Sequence, residues 1–83
     1  MKAVKVRWID SCASNMNWLF PADIEGEVQP VHIITYGVVV QDNEDTIVIA
    51  QNYGSDPEQF CSLMTIPKGC IKELVTIEDN IHF

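Results

Sequence analysis

The sequence predicts an all-β fold, a small barrel of about five strands with a long loop after the first strand. Three observations predict it. Runs rich in valine, isoleucine, threonine and aromatic residues recur at short spacing along the chain, the composition that fits pleated, half-buried strands. The breaks between them, "DNED", "GSDPE" and "PKG", are made of turn residues. The chain has 83 residues with no internal repeat, low-complexity run or linker. It therefore reads as a single domain over 1–83, short enough to bury only ~60% of its unfolded surface.

The elements follow in order. "AVKVRWID" places Val4, Val6 and Trp8 on one face and Lys5 and Arg7 on the other, the period of two that marks a half-buried strand. "SCASNMNWLFPADIEGEVQP" shows no clear period and is punctuated by Pro21, Gly26 and Pro30. It is expected to be a long loop with one short helical turn near Ala22 to Glu25. Loops this long in a small domain are often binding loops. "VHIITYGVVVQ" and "TIVIAQNY" flank "DNED" and predict a hairpin over residues 31 to 53. Gly37 within its first arm predicts a bulge or a sharp bend. "QFCSLMTI" and "IKELVTIE" supply the last two strands, and the tail "DNIHF" either extends the final strand or covers one end of the barrel.

"LMTIPKGCIKEL" is the most compressed stretch. Cys70 between Lys68 and Lys72 has the electrostatics of an activated thiol. A cysteine nucleophile also needs a base and an orienting group, and His32 and His82 stand in no catalytic pattern. An architectural reading explains more. Pro67 ends one strand because it cannot donate to a ladder. Gly69 is expected to admit an unusual φ/ψ, and Ile66 and Ile71 tie the corner to the core. A strand, a tight 3₁₀-like turn opened by proline and a departing strand resemble the last corner of SH3-like barrels, so the whole chain is expected to be one SH3-like barrel.

Four pieces, "RWIDS" with a second tryptophan at Trp18, "TYGVVVQDNE", "IVIAQN" and "IPKGCIKEL", together resemble a group of small uncharacterised proteins encoded by phages and prophages. The resemblance implies an SH3-like barrel working in a bacterial host cytoplasm. It implies no biochemical activity.

Charge and composition limit the partners. Twelve acidic residues against five lysines and arginines give a net charge of -7, which repels nucleic-acid phosphate at long range. No nucleic acid is expected, although an acidic mimic of one stays open. No stretch reaches the ~20 apolar residues of a membrane helix, and no signal-peptide pattern opens the chain, so no membrane partner is expected. Cys12, Cys61 and Cys70 are odd in number and widely spaced, which favours a reduced cytoplasmic chain over a disulfide scaffold. The scattered cysteines and histidines do not make a zinc site, and "QDNED" lacks the glycine and distal glutamate of a calcium loop. No cofactor, no metal and no enzymatic activity are expected.

The candidate binding residues are Trp8, Asp10, Ser11, Trp18 and Tyr53. Aromatic rings beside a carboxylate suit a binding surface. The competing reading puts Trp8 in the core, uses Trp18 to pin the loop and makes Asp10 a turn cap. On the binding reading, the domain is a non-enzymatic module for a host or phage protein. The alternative is sequestration of a small molecule, such as a host nucleotide signal, which needs an oligomer or a deep pocket. Self-association through an exposed strand edge is expected, because "VHIITYGVVV" and "TIVIA" are apolar on both faces.

Overall fold

A computed structural model describes residues 1–11, 18–24 and 30–82. Cys12, Gly26 and much of the expected long loop lie outside the described residues. Five strands form one antiparallel sheet: β1 (Ala3–Asp10), β2 (Val31–Asp42), β3 (Thr46–Ser55), β4 (Glu58–Pro67) and β5 (Ile71–Glu78). The order across the sheet is β4-β3-β2-β1-β5. The helical turn α1 (Pro21–Ile24) sits between β1 and β2, within a residue of its expected place.

The all-β fold and its five strands are as expected. The barrel is not closed by a ladder, since β4 and β5 remain the outer strands. Curvature brings the strands together instead. Val4, Val6 and Trp8 from β1, Ile47 and Ile49 from β3, and Ile66 from β4 form one buried cluster. Ile33, Val39, Cys70 and Ile71 pack against it. The three β1 members are the alternate positions visible in "AVKVRWID", so the period of two holds in three dimensions.

Gly37 permits the curvature. A Cβ there would lie closer than 3.0 Å to both the Ala50 carbonyl oxygen and Ile49 Cγ2. The β2–β3 register slips shortly afterwards, between Val39 and Gln41. The Val39 N–H donates to the Lys2 carbonyl at 2.9 Å, which holds β2 against the start of β1.

The "IPKGC" stretch is a corner, as its composition implied. Ile66 is fully buried, and Lys68–Cys70 form one 3₁₀ turn before β5. The turn is clasped to the β2–β3 hairpin twice. The Lys68 N–H donates to the Asp45 carbonyl at 2.8 Å, and Lys68 Nζ pairs with the Asp42 carboxylate. The expected role of Gly69 needs correction. Its φ is not positive, and no atom lies within 4 Å of where a Cβ would stand. A 3₁₀ turn keeps right-handed backbone angles, so this corner demands no glycine.

"GSDPE" is shorter as a loop than its composition implied. Gly54 and Ser55 end β3 and Glu58 begins β4, leaving Asp56 and Pro57, joined by a cis peptide, as the turn. The tail covers the start of β1, with the Ile81 N–H donating to the Met1 carbonyl at 2.6 Å.

Candidate functional site

The strands place the candidate residues in different surroundings. Trp8 is central on β1 and points inward, with 6% of its surface exposed. Its indole N–H donates to Thr35 Oγ1 at 3.0 Å. A buried indole needs such a partner, and Thr35 is the cross-strand partner of Val6, on the same inward face as Trp8. Trp8 is therefore a core residue and offers no face to a partner.

Asp10 ends β1, where its Oδ1 accepts the Ser11 N–H at 2.8 Å. The bond is local, from a short acidic side chain to the backbone of the next residue. Ser11 is exposed.

Trp18 is in the opposite situation. It is 101% exposed, Phe20 is 78% exposed and Ile24 43%, so Trp18 does not pin the loop to the sheet. The Asp23 N–H donates to the Phe20 carbonyl at 2.8 Å, which shapes the turn into α1. No residue of α1 is buried. Apolar rings are thus held in water next to a locally ordered turn.

Tyr53 lies near the end of β3, in the hairpin with β4. Its ring stacks on Phe60, its register partner, with centroids 5.2 Å apart and planes 15° apart. Its hydroxyl donates to Glu58 Oε2 at 3.2 Å. Desolvation raises the phenol's pKa above its ordinary value, and the hydrogen bond to Glu58 and the nearby carboxylate charge push the same way. Asn52, Tyr53, Gly54, Gln59, Phe60 and Cys61 line an open cavity of about 270 Å³. That is just under the usual size of a small-molecule site, about 300–1,000 Å³.

The Cys-Lys pairing weighed for the corner does not form. Lys68 is engaged by Asp42, while Cys70 is half-buried against the core. Cys61 is exposed, and its Sγ lies 3.5 Å from Ser62 Oγ. His82 Nδ1 lies 2.8 Å from the Asn80 carbonyl oxygen. Among the described residues no cluster of His, Cys, Asp and Glu converges to hold a metal, and no helix is long and apolar enough to cross a membrane.

The surplus apolar residues expected along an exposed strand edge lie instead on a sheet face, since β2 is an inner strand. The sheet face turned away from the core carries Ile34 and Tyr36, 54% and 57% exposed, and Val75, 44% exposed. Its signal was "HIITYG", where apolar residues occupy both parities of β2.

The described architecture is that of a small all-β domain built on one open, five-stranded antiparallel sheet. Compared with protein-family models, with curated proteins and with solved structures, the chain matches none.

Proposed function

We propose that the chain is a non-enzymatic protein-binding module of SH3-like type, an accessory protein of a phage or prophage acting on a host or phage protein in the bacterial cytoplasm. The observation that carries the binding role is the exposure of Trp18 together with Phe20 and Ile24. Aromatic rings this exposed are the kind of anchor that supplies most of an interface's energy once a partner covers them. The β1–β5 pairing and the 3₁₀ turn ahead of β5 support the SH3-like reading, and the phage setting rests on the four resembling pieces of sequence. With a net charge of -7, a basic or proline-containing segment is the partner of choice.

The test is affinity capture from bacterial lysate with wild type and a Trp18→Ala, Phe20→Ala double variant. Wild type retains a defined protein and the variant loses it. Equal capture by both rules out the projecting rings as the contact.

A second reading is favoured by the Tyr53 cavity alone, whose stacked rings and flanking Asn52 and Gln59 amides suit a planar polar molecule. Native mass spectrometry of protein taken from the cells that make it tests this reading. A retained mass that Phe60→Ala abolishes supports it, and bare protein counts against it.

A further inference from the structure

β3 and β4 run on beyond the strand that supports them. β2 pairs with β3 only from Val38 to Asp42, and its earlier residues pair with β1. β3 and β4 stay paired with each other out to Ser55 and Glu58. Their far part, from Asn52 to Cys61, is therefore a two-stranded ribbon. Such a ribbon is marginal by itself, and the stacked rings of Tyr53 and Phe60 brace it. Both residues are half-buried, so part of their surface still faces water.

Charge is distributed unevenly along the chain. All five lysines and arginines stand at positions 2, 5, 7, 68 and 72. The stretch from Gln41 to Pro67 carries Asp42, Glu44, Asp45, Asp56 and Glu58 and has no lysine, arginine or histidine. Among the described residues the one ion pair is Lys68–Asp42, so Asp56 and Glu58 meet no cation of their own chain. Glu58 lies on the same ribbon face as the rings, because alternate strand residues point the same way. Its Oε2 accepts the Tyr53 hydroxyl at 3.2 Å. A carboxylate accepts several hydrogen bonds, which leaves Glu58 capacity for a second donor.

We infer that this ribbon binds arginine: a guanidinium from a basic segment of a partner protein lies against the Tyr53–Phe60 rings with its edge toward Glu58. A planar cation of this kind needs a flat apolar surface beneath it and an anionic acceptor at its edge. One face of the ribbon holds both. The ammonium of lysine would use the charge but gain less from the flat rings. A neutral planar molecule gains nothing from the charge of Glu58, and a phosphate-bearing one is repelled by Asp56 and Glu58. The cavity is open and only about 270 Å³, so a small free cation would be poorly covered, whereas a side chain arrives on a segment that makes further contacts. The inference rests on the protein-binding reading for its basic partner, and adds to it a contact on elements other than the Trp18 loop.

NMR titration of the isotope-labelled full chain with the peptide acetyl-Gly-Arg-Gly-Arg-Gly-amide tests it, carried to about 10 mM because exposed cation–π contacts are weak. The amide resonances of Tyr53, Gln59 and Phe60 shift saturably. The matched citrulline peptide, similar in shape but uncharged, leaves them in place, and the lysine peptide binds at least about threefold more weakly. Glu58→Gln keeps an acceptor for the Tyr53 hydroxyl and removes the charge. Phe60→Leu keeps an apolar side chain and removes the π face. Each variant weakens binding of the arginine peptide about threefold or more, while unmoved amides of Val6 and Ile49 confirm the fold. Trp18→Ala leaves the shifts unchanged. Equal shifts with arginine and citrulline overturn the site. So do shifts spread evenly over Asp42, Glu73 and Glu78, or binding indifferent to Glu58→Gln. Peptide binding that fails while Trp18-dependent capture persists overturns the guanidinium site alone and leaves the protein-binding reading standing.

Discussion

Trp8 and Thr35 meet inside the protein, where the indole N–H donates to Thr35 Oγ1 at 3.0 Å and both residues are buried. The pair explains why a hydroxyl occupies a position that otherwise suits valine. It also removes Trp8 from the surface, because a ring anchored this way has its polar end already satisfied.

Thr35→Val tests this relationship. The substitution keeps the shape and strands a buried N–H, at a cost of about 1–3 kcal/mol. Urea unfolding is expected to show that loss. Trp8→Phe combined with Thr35→Val removes donor and acceptor together, so the cycle should give a coupling of at least about 0.5 kcal/mol. A Thr35→Val protein as stable as wild type would mean that the bond contributes nothing.

The two glycines in strategic places behave oppositely. At Gly37 a Cβ meets the Ala50 backbone and Ile49 Cγ2 below 3.0 Å, and backbone cannot move aside as a side-chain tip can. Gly37→Ala is expected to cost about 3 kcal/mol or more, in the range reserved for overpacked or strained core positions. At Gly69 there is open space and no positive φ. Gly69→Ala should stabilise by about 0.4–1 kcal/mol, because it restricts the unfolded chain. Thermal melts of the two variants settle both, and similar losses would contradict the geometry.

Ser62 is a strained point within β4. Its φ of 60° is left-handed, and the β3–β4 register omits the Gln51–Ser62 pair between Ala50–Leu63 and Asn52–Cys61. A left-handed residue with a Cβ carries a penalty of roughly 1–2 kcal/mol. Ser62→Gly should therefore hold or raise stability, while Ser62→Val should lower it by more than about 1 kcal/mol, since branching at Cβ worsens the clash. Equal effects of the two substitutions in chemical denaturation would show that the strand relaxes without strain.

The contrast between Gly37 and Gly69 also shows what the sequence could convey. β1 was readable from its period of two and the other strands from β-branched and aromatic runs between turn residues, and β1 and β5 fall where "AVKVRWID" and "IKELVTIE" place them. Gly37 was readable as a bend, since glycine amid β-branched residues has few other reasons to be there. Gly69 was misjudged because a turn's backbone angles depend on its type, and 3₁₀ and left-handed turns share residues. For the site, Trp8 and Trp18 are indistinguishable by residue type. Their burial differs because one sits at an inward parity of a central strand and the other beyond the strand's end. The outward face that carries Tyr36 and Val75 needs the β1–β2 and β1–β5 registers at once, and no local pattern contains a register between distant strands.

The clasp between Lys68 and Asp42 carries a pH dependence. The hydrogen bond from the Lys68 side chain holds the Asp42 carboxyl below its ordinary value of 3.8, helped by the charge of Lys68 and, further off, that of Lys2. A carboxyl with a depressed folded pKa contributes stability that is complete above its unfolded pKa and is lost as pH falls through the folded one. The stability difference between wild type and Lys68→Met should therefore be constant near neutral pH and narrow as the pH drops below 3.8. The pair is solvent-exposed, so the difference is small even at neutral pH, and the carboxyl titration is the sharper readout. Following the Asp42 side-chain carboxyl by NMR, Lys68→Met should move its midpoint upward toward 3.8. The Lys68 N–H still donates to the Asp45 carbonyl in the variant, because that bond uses backbone atoms, and the corner stays in place. An Asp42 midpoint that is the same in both proteins would show that the lysine does not hold the carboxylate in solution.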